Sequence, residues 1–460
     1  MKKSSEYLDS AGAFLMRPVD ASTLGAFRFI FGILMVGSTL KYFYKGLIKS
    51  YYIDSKFLFT YDLFPWVTPW PGDGMYYLFA VIGVSALLLA LGLFCRLSAA
   101  AFFLSYTYVF LLEKGAYNNH YYFICLIAFL FCIVNSGRWM SLDALWKRKF
   151  DPDSQAVTVP YWNVLIIKTQ VFIVYFYGGI AKLNLDWLNG EPMRHWLEIP
   201  AGREGTPAFA ARFLESEFGV YFFSYGGVIF DLSIGFLLIC RKTRLLAFGL
   251  IFIFNLTNQW MFKIGIFPLL MIATAVIFLE PDTPRNFIKK CLPRLKQDRL
   301  DLKPRPSRFR KSAISFVSIY LMIQILLPFR HWLYEGHVSW TEEGQDFAWR
   351  MKLRDKGECR LGFFATNRET GETSLIPLGR FLAVRQFIRM CQRPHMIIQF
   401  AHFLGKKLEE EGISNPIITA RTLVSLNYRP PQSLIDPDVN LTEEEYSVFK
   451  HSKWILPLKE

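Results

Sequence analysis

The sequence has little that indicates a metal-binding, nucleic-acid-binding or secreted soluble protein. Its seven cysteines are scattered, without a CxxC pair or the histidine spacing of a zinc site. The formal net charge of +14 comes from basic residues grouped between apolar blocks, without interleaved aromatic residues. Residues 1–17 lack a short apolar core with a small-residue cleavage site. We therefore expect no metal ion, no nucleic-acid partner and no removable signal peptide.

What the 460-residue chain has in abundance is apolar material, with 52% hydrophobic and 17% aromatic residues. This exceeds what one soluble core needs, and it indicates a membrane protein. Nine segments approach or exceed the roughly 20 residues that cross a bilayer. They are 22–42, 75–95, 98–112, 120–137, 162–183, 219–240, 244–258, 264–280 and 312–329. We predict about nine transmembrane helices, with a re-entrant hairpin as the alternative for a pair of the shorter segments.

The charges between these segments predict the orientation, because cytoplasmic loops are richer in Lys and Arg. With a cytoplasmic N-terminus, Arg96, the cluster around Arg138 and the eleven basic residues between Arg285 and Lys311 fall on one side. The opposite loops hold fewer basic residues. We therefore predict a polytopic α-helical membrane bundle over residues 1–330, and a C-terminal domain over residues 331–460 on the non-cytoplasmic side.

The C-terminal region changes character and reads as a small mixed α/β domain. Alternating apolar residues over 347–351, 360–365 and 417–425 predict strands, and helical spacing predicts a helix over 396–411. Cys359 and Cys391 lie in this region. They could form a disulfide if the domain faces an oxidising compartment.

Polar residues inside the apolar segments are costly, so each is a site candidate. They form three clusters, namely residues 118–122, residues 175–187, and Asn255 with residues 257–259. The predicted topology places all three at non-cytoplasmic helix ends, so we expect one pocket. Desolvation among aromatic side chains disfavours a charged amine, which makes Lys182 a candidate general base.

Structural interpretations of the same residues remain open. Lys182 could extend to the membrane interface, as lysines near helix ends often do. His120 and Asn258 could form hydrogen bonds between helices, and Asn118 could cap the fourth helix. The residues alone therefore support only a polar pocket at one membrane face.

Two motifs give the sequence a family resemblance. Residues 117–122, Tyr-Asn-Asn-His-Tyr-Tyr, resemble the Trp-Asn-Asn-His segment of vitamin K-dependent γ-glutamyl carboxylases, and residues 170–187 are similar to their catalytic-lysine segment. Residues 18–24 are typical of the related horizontally transferred transmembrane (HTTM) domain family. Further matches are 254–262 followed by 264–268, 327–328 with 330–331, and 339–351. The resemblance covers most of the chain.

The resemblance implies a reaction that needs reduced vitamin K (the hydroquinone) as co-substrate, O2 and CO2, but no metal. Lys182 would deprotonate the hydroquinone, and O2 would add to the anion. Collapse toward the 2,3-epoxide would give an alkoxide that removes a γ-proton from a glutamyl residue, and CO2 would trap the carbanion. The expected partners are a glutamate-containing protein or peptide, presented by the C-terminal domain, and the lipid bilayer.

The resemblance also implies residue roles. Asn119 and Asn258 would hold the hydroquinone oxygens, and His120 would assist carboxylation. Asn118, Tyr175 and Asn255 are further pocket candidates.

Two departures from the family pattern leave alternatives open. Asn255 lies near the position of a family histidine, and Ala181 stands where animal enzymes have a second lysine. Both put the coupling of epoxidation to carboxylation in question. A quinol epoxidase without carboxylation is therefore one alternative. A non-enzymatic membrane receptor or transporter that binds a lipid or quinone is another.

Overall fold

The computed structural model describes residues 10–150, 157–291, 310–357 and 359–459. Each of the nine apolar segments forms helix, because a helix satisfies its own backbone hydrogen bonds where water is absent. The basic run that begins at Arg285 lies partly outside the described residues. The α-helices of the membrane region are α1 Ser22–Tyr44, α2 Gly74–Leu91, α3 Cys95–Leu112, α4 Asn119–Ile133, α5 Leu142–Phe150, α6 Tyr161–Lys182, α7 Leu185–Leu188, α8 Met193–Ala201, α9 Ala208–Glu215, α10 Glu217–Ile239, α11 Arg244–Phe262, α12 Phe267–Thr274, α13 Thr283–Cys291 and α14 Arg310–Leu326.

Seven helices in the described parts of the chain are long and apolar enough to cross a membrane. The predicted count of nine is therefore not confirmed. The segment at 120–137 forms α4, whose 15 residues are short for a complete span. The segment at 264–280 bends by 97° before α13, and it adds an eighth span only if the bent pair counts as one. The segments at 98–112 and 244–258 are full-length helices α3 and α11, so neither needs to be re-entrant.

Helices α6 and α10 pack closely through glycine. A Cβ atom at Gly179 would lie 2.7 Å from the side chain of Leu232 and 2.9 Å from its backbone nitrogen. Only glycine permits this approach without moving one helix. The sequence around Lys182 therefore brings the end of α6 against the middle of α10.

The C-terminal region forms a three-stranded antiparallel sheet with two longer helices. Its elements are α15 Val338–Thr341, β3 Cys359–Thr366, β4 Thr373–Leu375, α16 Val384–Cys391, α17 Pro394–Glu410 and β5 Ile417–Val424. The strand order is β4-β3-β5, and an apolar core that includes Phe363, Phe400 and Ile418 lies between sheet and helices. Within residues 1–330, two short strands, β1 Pro18–Asp20 and β2 Thr158–Pro160, pair with each other in antiparallel orientation. The two strands predicted at 360–365 and 417–425 and the helix at 396–411 are confirmed, and Cys359 is paired with Cys391.

The strand predicted at 347–351 is wrong. Phe347 and Trp349 have φ angles of 63° and 56°, in the left-handed region that a strand does not use. Trp349 is buried and stacks on Tyr122 of α4, and the half-buried Phe347 ring contacts the same tyrosine. The alternation of apolar residues thus reflects burial of successive turns.

Polar contacts dock the C-terminal region on the membrane helices. Arg429 Nη2 and Nη1 lie 2.6 and 2.9 Å from the two oxygens of Asp186, just after α6. Glu113, after α3, accepts a 2.8 Å hydrogen bond from Gln386 Nε2 of α16. The boundary predicted at residue 330 stays a prediction. These contacts place the C-terminal region against the end of α6 that carries Lys182.

Candidate functional site

Lys182 is the last residue of α6, and its amine is buried within the protein. The Nζ atom lies 2.5 Å from Asp231 Oδ2 on α10 and donates to the Gly178 carbonyl at 3.2 Å. Both side chains are more than nine-tenths buried. The indole of Trp187 lies beneath the amine, with its ring centroid 5.5 Å from Nζ. The Lys182 side chain is therefore held inside the bundle and does not extend to the interface.

The amine lines a largely apolar cavity of about 320 Å³, which we call the apolar cavity. Its volume is within the range of small-molecule sites. Tyr175, Asn255 and Asn258 also line it. Asn255 Nδ2 donates to the Ile251 carbonyl at 2.9 Å, whereas the buried hydroxyl of Tyr175 has no hydrogen-bond partner within the described residues. A buried hydroxyl without a partner indicates a position where a ligand oxygen could be accommodated.

The Asn-Asn-His cluster lines a second, adjoining cavity of about 920 Å³, which we call the basic cavity. Asn119 is already engaged, because its Oδ1 accepts from Tyr117 at 2.9 Å and its Nδ2 donates to the Arg350 carbonyl at 3.3 Å. Asn118 precedes α4 but donates to the Ala116 carbonyl and does not cap the helix with its side chain. The His120 ring lies 5.6 Å from that of Phe267. The three predicted polar clusters are thus divided between two neighbouring cavities.

The two cavities share a wall. The residues that line both are Trp196, Phe262, Ile264, Phe267, Met351 and Lys352. Lys352 Nζ lies 4.9 Å from the ring centroid of Phe262 and 5.2 Å from that of Trp196. The chain that carries Lys352 adopts left-handed φ angles at Phe347, Trp349 and Lys352 itself. Each costs about 1–2 kcal/mol for a residue other than glycine, so the surrounding contacts must hold this segment in place.

The basic cavity carries a large excess of positive charge. Eight Lys or Arg side chains and two Asp side chains line it. Burial lowers the pKa of Arg350 to about 10. Burial also lowers the pKa of Lys356 to about 8, although Glu342 opposes the change. A wall of this composition attracts acidic ligands.

Glu342 keeps part of this cluster ionised. Burial alone would raise the pKa of Glu342, but Arg354 and Lys356 outweigh it and lower the pKa to about 2. Its Oε1 accepts from Arg354 Nε at 2.6 Å and lies 3.0 Å from Lys356 Nζ. Glu342 is therefore ionised at neutral pH and pairs with two of the cations that line the cavity.

Sequence reasoning missed Asp231 and Lys352. Asp231 had a readable signal, because a carboxylate within the apolar helix α10 is costly and needs a partner. Lys352 had none, since nothing in the local sequence places it between two cavities. Among the described residues, no three His, Cys, Asp or Glu side chains converge as metal ligands, and the metal-free site stays a prediction.

Seven apolar helices of membrane-spanning length among the described residues define a multi-pass membrane protein. Residues 16–283 match the HTTM domain family. Residues 309–460 match the lumenal domain of vitamin K-dependent γ-carboxylases. The chain belongs to the vitamin K-dependent γ-glutamyl carboxylase family, as the sequence motifs predicted. No solved structure matches the chain.

Proposed function

We propose that the protein carboxylates glutamyl side chains of a protein or peptide and couples this reaction to oxidation of vitamin K hydroquinone to its 2,3-epoxide. The observation that carries the proposal is the amine of Lys182, buried in an apolar cavity that shares a wall with a basic one. A lipid quinol suits the first cavity, and a carboxylate-bearing peptide suits the second. Membership of the carboxylase family supports both assignments.

The apolar cavity fits a hydroquinone ring. Its walls include the aromatic side chains of Trp187, Trp196 and Phe230, while Tyr175 and Asn258 offer polar groups. Exposed side chains of Phe222 and Ile253, on α10 and α11, line it toward the lipid side. An apolar ligand could therefore enter from the bilayer. When bound, the hydroquinone supplies the reducing power and, with O2, the strong base that carboxylation requires.

The protein's own residues would bind, orient and exclude water. In this assignment the amine of Lys182, once it has lost its proton, accepts one from a ligand hydroxyl, and Asn258 and Tyr175 orient the ligand oxygens. The apolar walls keep water from quenching a strong base. Asn119 holds the Arg350 carbonyl, so its contribution would be to shape the wall between the cavities. His120 lines the basic cavity, where it could handle a proton during carboxylation.

The basic cavity would receive the glutamyl side chain. Its excess of Lys and Arg favours an acidic segment, and the C-terminal region contributes most of these side chains. We place this region, and both cavities, on the non-cytoplasmic side. The charge distribution of the loops and the pairing of Cys359 with Cys391 support that orientation.

The test is conversion by purified protein of reduced vitamin K, labelled bicarbonate and a glutamate-containing peptide. We expect both epoxide and peptide-bound label from the wild type, and neither from Lys182→Gln. The matched control is Lys168→Gln, which removes another lysine of α6 that lies over the Phe278 ring and not in the apolar cavity. Label fixed by Lys182→Gln at the wild-type rate would refute the proposal.

The same assay separates the alternatives. Epoxide without peptide-bound label would indicate a quinol epoxidase. Saturable quinone binding with neither product would indicate a receptor or transporter.

A further inference from the structure

Asp231 is a carboxylate in the middle of a membrane helix, and its described ion-pair partner is Lys182. Its neighbours on α10, Phe230 and Leu232, are apolar, and the residue is 5% exposed. Burying an ion pair in an apolar site gives little net stability, because desolvation offsets the attraction. Two apolar residues would fill the same space at no such cost. The pair therefore needs an explanation other than stability.

The geometry around Lys182 restricts its amine. An ammonium group has three N–H bonds, and two of the directions around Nζ are taken by Asp231 Oδ2 and the Gly178 carbonyl. Gly178 leaves just enough room for this arrangement, because a Cβ atom there would lie 3.3 Å from Asp231 Oδ2. A Cβ atom at Gly227 would meet Lys182 Cε only at an ordinary contact distance of 3.8 Å. One direction around Nζ remains for a group in the apolar cavity.

We propose that Asp231 is a positioning residue that aims the Lys182 amine into the apolar cavity and balances the charge the amine acquires when it takes a proton from a bound ligand hydroxyl. This inference rests on the proposed function. The reactive form is the one in which the pair has lost a proton, so that Nζ is a neutral amine with a lone pair beside the Asp231 carboxylate. In the step, the ligand O–H bond breaks, its electron pair stays on oxygen, and the Nζ lone pair forms a new N–H bond. No electrons are transferred between molecules. The resulting ammonium faces the Asp231 carboxylate at the distance the structure shows.

Few other groups that line the apolar cavity could balance the charge of the Lys182 ammonium. The remaining titratable side chains that line the apolar cavity are Tyr175 on α6 and Lys352 from the C-terminal region. Helices α8, α11 and α12 present only uncharged side chains there, namely aromatic, aliphatic, thioether, amide and one hydroxyl group, that of Thr257. A phenol and a second cation cannot neutralise an ammonium ion. Of the described groups lining the cavity, Asp231 alone carries the opposite charge.

The test measures the charge of Lys182 directly, without turnover. Phenyl isothiocyanate, a small apolar reagent, reacts only with neutral amines, and peptide mass spectrometry gives the extent of reaction at each site as a function of pH. In Asp231→Asn we expect the pH of half-reaction at Lys182 to fall by about 1–3, because an opposite charge at hydrogen-bond distance favours the ammonium form. Asp231→Glu should return it toward the wild-type value.

Lys352 serves as the internal reference, because it lines the same cavity and reports reagent access. Its labelling should be the same in all three proteins. An unchanged half-reaction pH at Lys182 in Asp231→Asn would overturn the proposal, as would loss of Lys182 labelling while Lys352 still reacts. A purely structural ion pair would also move the half-reaction pH, but it would leave the maximum rate of epoxide formation per folded protein unchanged.

Catalysis is then measured separately. The pH profile of epoxide formation in Asp231→Asn should have its acid limb displaced in the same direction, with a lower maximum rate. If the wild type forms neither epoxide nor carboxylated peptide, the proposed function fails whatever the labelling shows. If the wild type is active but labelling and profile do not move, only the role of Asp231 fails.

Discussion

Glu113 offers the sharpest test of the electrostatics that join the two parts of the molecule. The carboxyl follows α3, is buried, and accepts hydrogen bonds from Gln386 Nε2 and the Gly115 backbone N–H, each at 2.8 Å. Burial outweighs these hydrogen bonds and raises its pKa to about 7 from the model-compound value of 4.5. The difference corresponds to about 3 kcal/mol between the two protonation states.

The direction in which stability changes with pH follows from proton linkage. A carboxyl with a raised pKa binds more protons in the folded state, so its contribution to stability is complete below about pH 4.5 and is lost as the pH rises through about 7. We therefore expect Glu113→Gln, which keeps one of the two acceptor oxygens and cannot ionise, to remove this pH dependence. Relative to the wild type, the variant should gain up to about 3 kcal/mol between pH 5 and pH 8.

The assay is equilibrium unfolding in one detergent at pH 5, 6, 7 and 8, monitored by tryptophan fluorescence. Asp62→Asn is a suitable control, because it changes a carboxyl on the same face that pairs with Lys114 and is more exposed. The reasoning is refuted if wild type and Glu113→Gln show parallel pH profiles.

Three further changes test the packing and docking. Gly179→Ala should lower the free energy of unfolding of the bundle by about 1–3 kcal/mol, because the new methyl group meets the backbone of α10. An unfolding midpoint equal to that of the wild type would contradict the packing. Gly227→Ala should leave the free energy of unfolding within about 0.5 kcal/mol of the wild-type value, since its methyl group makes only ordinary contacts of 3.6 Å or more. Arg429→Met should cost about 1–2 kcal/mol and speed proteolysis of the C-terminal region, because Asp186 loses a two-point contact; unchanged cleavage would show that other contacts suffice.

The helices were predictable from sequence because long apolar runs have few other solutions in a membrane. Their number was not, since α4 and the bent segment after Phe267 are apolar but too short for length alone to decide. The strands at β3 and β5 were predictable from alternation. The same alternation failed at residues 347–351, where left-handed turns bury successive side chains.

The candidate site was predictable in part. Lys182 stood out because a lysine closing an apolar helix is costly, and Asn255, Asn258 and Tyr175 do line its cavity. Its pairing with Asp231 joins residues 49 positions apart, which no local pattern specifies. The placement of His120 and Lys182 in separate, adjoining cavities was likewise not predictable from a local pattern, because it depends on how the segment around Lys352 folds between them.

A shared wall with different linings on its two sides has a kinetic consequence. Two reactants that occupy separate chambers do not exclude one another, so neither has to leave before the other arrives. Under the proposed function, a quinol analogue should compete only with the quinol, and an acidic peptide analogue only with the peptide. Met351 and Lys352 line both cavities, so a ligand bound in one cavity could affect binding in the other through these two residues.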